Sequence, residues 1–211
     1  MRRAVVKLGG SIAGSEAMDN WIAAITAASF PIVIVPGGGP YADVVRETQK
    51  AMGFSDGAAH AMAILAMEQF GHVLCDRDER FVAARTLSDI ENAPAPEAVP
   101  VWFPSETVLP AAEIPMSWDV TSDSLAAWLT SKIGADSLLL VKQSDAFSQA
   151  DDVGALVARG LVDPAFPTML PAEVDLRIAG PRHLAGAGAL FRSGLLPGEP
   201  ITRTGQARKA G

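Results

Sequence analysis

Ala4-Val5-Val6-Lys7-Leu8-Gly9-Gly10-Ser11 and Ile32-Val33-Ile34-Val35-Pro36-Gly37-Gly38-Gly39-Pro40 each run from an apolar, β-branched stretch directly into consecutive glycines. Uninterrupted apolar strands suit a parallel sheet covered on both faces, whereas a half-solvated strand alternates. Between the two, Met18, Trp21, Ile22, Ile25 and Ala28 recur at helical spacing and make one apolar stripe, so the segment reads as a β-α-β unit. Further strands are expected at Val99-Pro100-Val101-Trp102-Phe103, Ser137-Leu138-Leu139-Leu140-Val141 and Val174-Asp175-Leu176-Arg177-Ile178. Their alternation with helical patterns predicts an α/β fold with a mostly parallel sheet.

Ser55-Asp56 supplies a cap for a second helix, Ile64, Met67 and Phe70 mark one of its faces, and Gly71 reads as its C-terminal stop. A third helix opens near Thr121 and carries Leu125, Trp128, Leu129 and Ile133 before Gly134. Pro94, Pro96, Pro100, Pro104, Pro110 and Pro115 leave residues 92–115 room for a short strand but not for a long helix. That stretch is the expected seam, within one domain spanning residues 1–211, between an N-terminal lobe of about 1–115 and a C-terminal lobe of about 116–205. From Thr204 onward, glycine and basic residues suggest a frayed end.

With 49% hydrophobic and 19% charged residues, the 211-residue chain can bury a substantial core. A formal net charge of −7, with Arg2-Arg3 and Arg208-Lys209 as the adjacent basic pairs, argues against a nucleic-acid partner. The longest strictly apolar run, residues 61–67, is far short of the roughly 20 residues that span a bilayer, and no signal-peptide core follows Arg2-Arg3. A cytoplasmic protein is expected, and the single cysteine, Cys75, fits a buried apolar role in a reducing compartment.

The glycines carry the chemistry. Consecutive glycines let backbone N–H groups converge on an anion, and each loop leads toward a helix N-terminus, where the helix dipole also favours negative charge. Gly9, Gly10 and Ser11, with Gly37, Gly38 and Gly39, thus read as two phosphate cradles, although tight strand-to-helix turns would use the same residues. Gly9 to Gly14 has P-loop glycine spacing, but Ser15-Glu16 stands where the Lys-Ser/Thr pair belongs. Gly37 to Ala42 matches the dinucleotide fingerprint, yet a helical pattern through Lys50 follows instead of a strand ending in an acid, leaving a nicotinamide-dependent oxidoreductase as a weak alternative. The lysines are Lys7, Lys50, Lys132, Lys142 and Lys209, and two of these, Lys7 and Lys142, end apolar strands. Parallel strands deliver their C-terminal ends to the binding edge of an open sheet, where an ammonium group suits the oxygens of a transferring phosphoryl group. Thr121, Ser122 and Asp123 suit a helix cap with a dipole-matching acid, and equally suit an acid that organises a catalytic lysine or Mg²⁺ beside a hydroxyl that meets the acceptor.

Lys7-Leu8-Gly9-Gly10-Ser11, Pro36-Gly37-Gly38-Gly39-Pro40, Thr121-Ser122-Asp123-Ser124 and Lys142-Gln143-Ser144-Asp145 resemble, in order and spacing, the successive signatures of the amino acid kinase family over nearly the whole chain. The resemblance implies a three-layer αβα sandwich, an ATP-dependent phosphotransferase, acceptor binding by the N-terminal lobe and ATP binding by the C-terminal lobe. It also implies that Mg²⁺ is carried on ATP without a direct protein ligand set, and that subunits pair as a homodimer or higher oligomer. Lys7 would stabilise the transferring group, Asp123 would orient the lysine, and Lys142 would act in catalysis and nucleotide binding with Asp145, Phe147 and Asp163. His60-Ala61-Met62-Ala63-Ile64 and Trp118 to Ser124 are most similar to the branch that phosphorylates aminomethylfuran-methyl phosphate in methanofuran synthesis. His60, Thr121 and Ser122 would then contact the acceptor, a phosphate monoester converted to a diphosphate. Other family acceptors are UMP, isopentenyl phosphate and acylamino acids, and a non-catalytic anion-binding protein is a further alternative.

The sequence departs from the family in two places. No lysine lies between Lys142 and Lys209, where other members carry a late catalytic lysine, so Lys142 or an arginine such as Arg203 is expected to supply that charge. Leu161-Val162-Asp163-Pro164-Ala165-Phe166 instead resembles the Met-Asp segment of uridylate kinases, and Asp145-Ala146 replaces the usual Asp-Gly pair.

Overall fold

The structure, a computed structural model, describes residues 3–93, 95 and 97–203, so the end expected to fray lies outside them. Its strands are β1 (Ala4–Leu8), β2 (Ile32–Pro36), β3 (Phe81–Ala84), β4 (Val99–Trp102), β5 (Ser137–Val141), β6 (Asp175–Ala179) and β7 (Glu199–Pro200). They form one seven-stranded sheet in the order β3-β4-β2-β1-β5-β6-β7. Neighbours are parallel apart from β6 and β7. β1, β2 and β5 are buried along their whole length, which accounts for their lack of apolar-polar alternation. Leu8 pairs with Pro36 on one side and Val141 on the other, so the three strands stop level and bring both glycine loops and Lys142 to one edge.

The helices are α1 (Glu16–Thr26), α2 (Gly39–Met52), α3 (Asp56–Arg77), α4 (Leu87–Glu91), α5 (Ser105–Val108), α6 (Ser122–Lys132), α7 (Val153–Ala158), α8 (Phe166–Met169) and α9 (Pro181–Arg192). Successive strand residues point to opposite faces. Val6, Leu8 and Leu139 therefore join Trp21 of α1 and Phe191 of α9 in one core. Val5, Leu138 and Leu140 join Trp128 of α6 and Phe166 of α8 in the other. The result is the three-layer αβα arrangement that the family resemblance implies, and by alternation Lys7 shares the α6 face with Val5. Each buried Leu, Ile or Phe side chain in these layers contributes about 1.5–3 kcal/mol.

The expected strands form, with β3 and β7 in addition. Ser55 caps α3, its side chain accepting from the Ala58 N–H at 3.2 Å, but the helix does not stop at Gly71. It runs on to Arg77, and Gly71 is buried inside it. A Cβ there would stand 3.1 Å from Phe103 Cε2, so the glycine serves a close helix-to-ring approach, which outweighs its low helix propensity. Among the described residues no helix is long and apolar enough to cross a membrane. Gly71→Val is expected to lower stability by about 1–3 kcal/mol through overpacking against Phe103. Urea denaturation measures this, and an unchanged midpoint would show that the ring has room to retreat.

Candidate active site

The two glycine loops touch backbone to backbone. A Cβ on Gly10 would fall 2.1 Å from Gly39 N, and one on Gly37 would fall 2.3 Å from Gly10 N. No side chain larger than hydrogen fits between them, and Gly39 also has φ +55°. The Gly37 N–H donates to Leu8 O at 2.8 Å and the Gly9 N–H to Val141 O at 3.3 Å, tying the loops to β1 and β5. α2 starts at Gly39, its N-cap Gly38 offers no side-chain cap, and the first N–H groups of a helix have no intrahelical partner. A cleft of about 270 Å³ lies over these loops, with Lys7, Ser11, Thr121, Ser122 and Lys142 on its walls.

Asp123 joins the two strand-end lysines. Lys7 Nζ stands 3.0 Å from Asp123 Oδ1 and Lys142 Nζ 2.7 Å from Oδ2. The second contact is an aligned hydrogen bond; the first is an ion pair without hydrogen-bond alignment at Oδ1. Burial alone would push the Asp123 carboxyl up, but Lys142 and Lys7 outweigh it and bring the pKa from 3.8 to about 2. Burial pushes the Lys142 ammonium down and Lys7 adds to this, against the pull of Asp123 and Asp163. Two ammonium groups therefore share the Asp123 carboxylate beside the glycine cradle, with Asp163 acting on Lys142 from farther off.

Asp163 holds Asp123 in place. Its carboxylate accepts from the Thr121 N–H at 3.0 Å, the Thr121 hydroxyl at 2.6 Å, the Ser124 N–H at 3.1 Å and the Ser124 hydroxyl. It thus caps α6 from a distant loop, the Asp123 residue lying between the residues it grips. The sequence reading sets Asp163 beside the nucleotide; in the structure it is 8% exposed and engaged with the helix end. Asp145 and Phe147 also lie away from the cleft lining. Asp145 accepts from the Arg182 N–H at 3.1 Å at the start of α9, and buried Phe147 stacks on His183 with ring centres 5.8 Å apart. Arg203, offered by the sequence as a replacement for the missing lysine, donates to the carbonyls of Leu170 and Pro171.

A smaller cavity of about 50 Å³ adjoins the cleft, sharing Gly38, Ala42, Arg46, Thr121 and Ser122 with it. His60, Ile64, Met67, Trp118 and Leu125 complete its mostly apolar wall. His60 is 4% exposed, and burial lowers its pKa against a partly opposing Ser117 backbone contact. The imidazole therefore stands neutral at pH 7. Arg46 and Trp118 are the residues that sequence reasoning missed as a pair; the signal available was that Ala42 and Arg46 are one turn apart on the helix that the glycine loop starts.

Residues 2–155 match the family described as the amino acid kinase family. The chain is 29% identical over 194 residues to the [5-(aminomethyl)furan-3-yl]methyl phosphate kinase of Methanocaldococcus jannaschii, covering 85% of this chain and 88% of that one. Uridylate kinase from Archaeoglobus fulgidus superposes with a TM-score of 0.69 at 18% identity, covering 96% of this chain and 100% of the other. UMP kinase from Bacillus anthracis gives a TM-score of 0.63 at 15% identity, with 96% of each chain covered. These two likenesses concern the fold.

Asp123→Asn would leave two buried ammonium groups without their counter-charge, an expected loss of about 3–5 kcal/mol in urea denaturation at pH 7. The depressed Asp123 pKa contributes stability in full above about pH 3.8 and loses it as pH falls through about 2, so the gap between wild type and variant should narrow over that window. Equal stability at pH 7 would mean that Asp123 does not neutralise the lysines.

Proposed function

This chain belongs to the amino acid kinase family and is a kinase, and from that premise we propose that it transfers the γ-phosphoryl group of ATP to a small phosphate monoester, forming a diphosphate. The observation that carries this reading is Asp123 locked between Lys7 and Lys142. A carboxyl with a pKa of about 2 and a lysine on each oxygen is a poor general base. Of the other carboxylates, Asp43 reaches the cleft but is paired with Arg46 at 2.7 Å. A hydroxyl acceptor would need its proton removed, whereas a phosphate monoester, with a second pKa near 6, brings an oxygen already ionised at pH 7. The site therefore suits an acceptor that arrives as an anion.

In the proposed reaction an acceptor phosphate oxygen attacks the γ-phosphorus in line. The bond from that phosphorus to the β,γ-bridging oxygen breaks, and ADP leaves with the electron pair; no proton has to move. Lys7 and Lys142 would neutralise charge on the transferring group's oxygens, and the Gly9-Gly10 and Gly37 to Gly39 amides would fix its position. Mg²⁺ would travel on the ATP phosphates and supply further charge neutralisation when bound. The donors of the cleft, ammonium and amide N–H, suit phosphate oxygens, and the buried carboxylate already has a lysine on each side. Residues up to about 115 would hold the acceptor and those beyond it ATP, with α6 serving both. ATP would run from Lys142 along the following loop toward Asp145 and Phe147.

The acceptor's body would fill the small cavity beside His60, whose mostly apolar wall suits one compact ring better than a nucleoside. With the relative named above, this makes [5-(aminomethyl)furan-3-yl]methyl phosphate the leading acceptor. Purified protein given Mg-ATP and that compound should yield ADP and a diphosphate in equal amounts, read by phosphorus NMR. Turnover of UMP or acetylglutamate in its place would reassign the substrate. Lys7→Met should lower kcat about 10²–10³-fold, the scale for losing one transition-state charge contact, and an active variant would remove Lys7 from the mechanism.

A further inference from the structure

Arg46 is the residue whose placement nothing in the proposed reaction uses. It stands on α2 at the rim where the phosphate cleft opens into the apolar cavity, and its side chain is the cation common to both walls apart from the strand-end lysines of the cleft alone. Its guanidinium lies over the Trp118 ring, 4.6 Å from the centroid, and its NH1 meets Asp43 Oδ1 at 2.7 Å.

The indole beneath is itself fixed. Trp118 Nε1 donates to Gln49 Oε1 at 2.7 Å, and Gln49 Nε2 donates onward to Asp56 Oδ1 at 2.8 Å and Phe54 O at 3.3 Å. Arg46 and Gln49 are one turn apart on α2, so a single helix holds the ring by its face and by its edge. A planar guanidinium pinned over an aromatic face keeps its fork in one orientation, with the donors not engaged by Asp43 left for an anion. The Arg46–Asp43 pair is exposed, at 46% and 68% of its side chains, and engages NH1, so the fork can meet a ligand through its other N–H groups while Asp43 stays paired.

We propose that Arg46, held flat by Trp118, is the clamp for the acceptor's own phosphate, gripping the oxygens that do not attack. The residue takes a phosphate monoester as its ligand and makes the kinase prefer phosphorylated acceptors. Lys7 on β1 and Lys142 directly after β5 line the cleft and not the apolar cavity, and serve the transferring group. His60 lines the small cavity and not the cleft, which places it toward the acceptor's body. The inference rests on the acceptor being a phosphate monoester, as proposed above.

Steady-state kinetics of the full chain separate the two readings. With the phosphate acceptor that the wild type turns over, Arg46→Gln should raise the acceptor KM about 10- to 100-fold, the scale for losing a charge-assisted hydrogen-bonded contact. The KM for ATP should stay within about twofold, and Arg46→Lys should recover part of the loss by keeping the charge without the planar fork. Because Arg46 is half-exposed, its variants should keep the wild-type melting temperature; Trp118→Phe, which keeps a ring but loses the Gln49 bond, should raise the acceptor KM by a smaller factor. An unchanged acceptor KM in Arg46→Gln overturns the clamp, and so does an equal rise in the KM for ATP. Turnover of UMP instead of the furan compound would overturn the assigned acceptor alone, since UMP carries the same phosphate for Arg46 to grip. Turnover confined to acceptors without phosphate, such as acetylglutamate, would overturn both.

Discussion

Two lysines share one buried carboxylate, and most of the site is arranged around that imbalance. In a poorly solvated place an ammonium group is costly unless it is paired, and Asp123 can fully neutralise one of them, not two. Asp163 adds its pull on Lys142, and in the proposed reaction a phosphoryl group on the glycine cradle would take up the charge that remains. Arrangements of this kind trade ground-state comfort for readiness, because the charge is already oriented when substrate arrives. The level ends of β1 and β5 make the sharing possible. Lys7 leaves β1 one residue before its end and Lys142 follows β5 directly, so neighbouring strands bring the ammonium groups to the same carboxylate.

The central part of the fold was legible because burial on both faces writes itself plainly: apart from Lys7 and Ser137, β1, β2 and β5 are apolar and β-branched or leucine-rich. β3 and β7 were not, since they are four and two residues long and owe their place to neighbours. Phe81–Ala84 is a strand because β4 lies beside it, and Glu199–Pro200 because β6 offers an edge. Gly71 misled for a related reason. A glycine after an apolar helical run has two physical uses, to end the helix or to admit a neighbour, and the Phe103 ring that decides between them is distant in sequence.

The site divides in the same way. Lys7, Lys142 and the glycines could be read locally, since strand ends and loop flexibility are properties of short segments. Asp123, for which the sequence leaves two readings open, pairs with lysines 116 and 19 residues away. Asp163 caps α6 from a loop 42 residues beyond Thr121, replacing the local cap that the Thr121-Ser122 pair suggested. Arg46 and Trp118 escaped notice as a pair because one is an ordinary helix arginine and the other reads, in sequence, only as the start of a motif; their meeting needs the tertiary fold and the Gln49 bond that fixes the ring.

The first turn of α6 links these parts. Thr121 and Ser122 border both cavities, while Asp123 turns inward to the lysines. In the proposed reaction, a helix end that would meet donor, acceptor and counter-ion within three residues could not move for one without disturbing the others. Its multiple bonds to Asp163 hold it in register, so adaptation to different acceptors falls to the surrounding wall: the Trp118 segment and the apolar residues of α3. In the proposed reaction such a layout would separate phosphoryl transfer, set by the α6 end and two strand ends, from acceptor choice, set by Arg46, the Trp118 ring beneath it and the apolar wall.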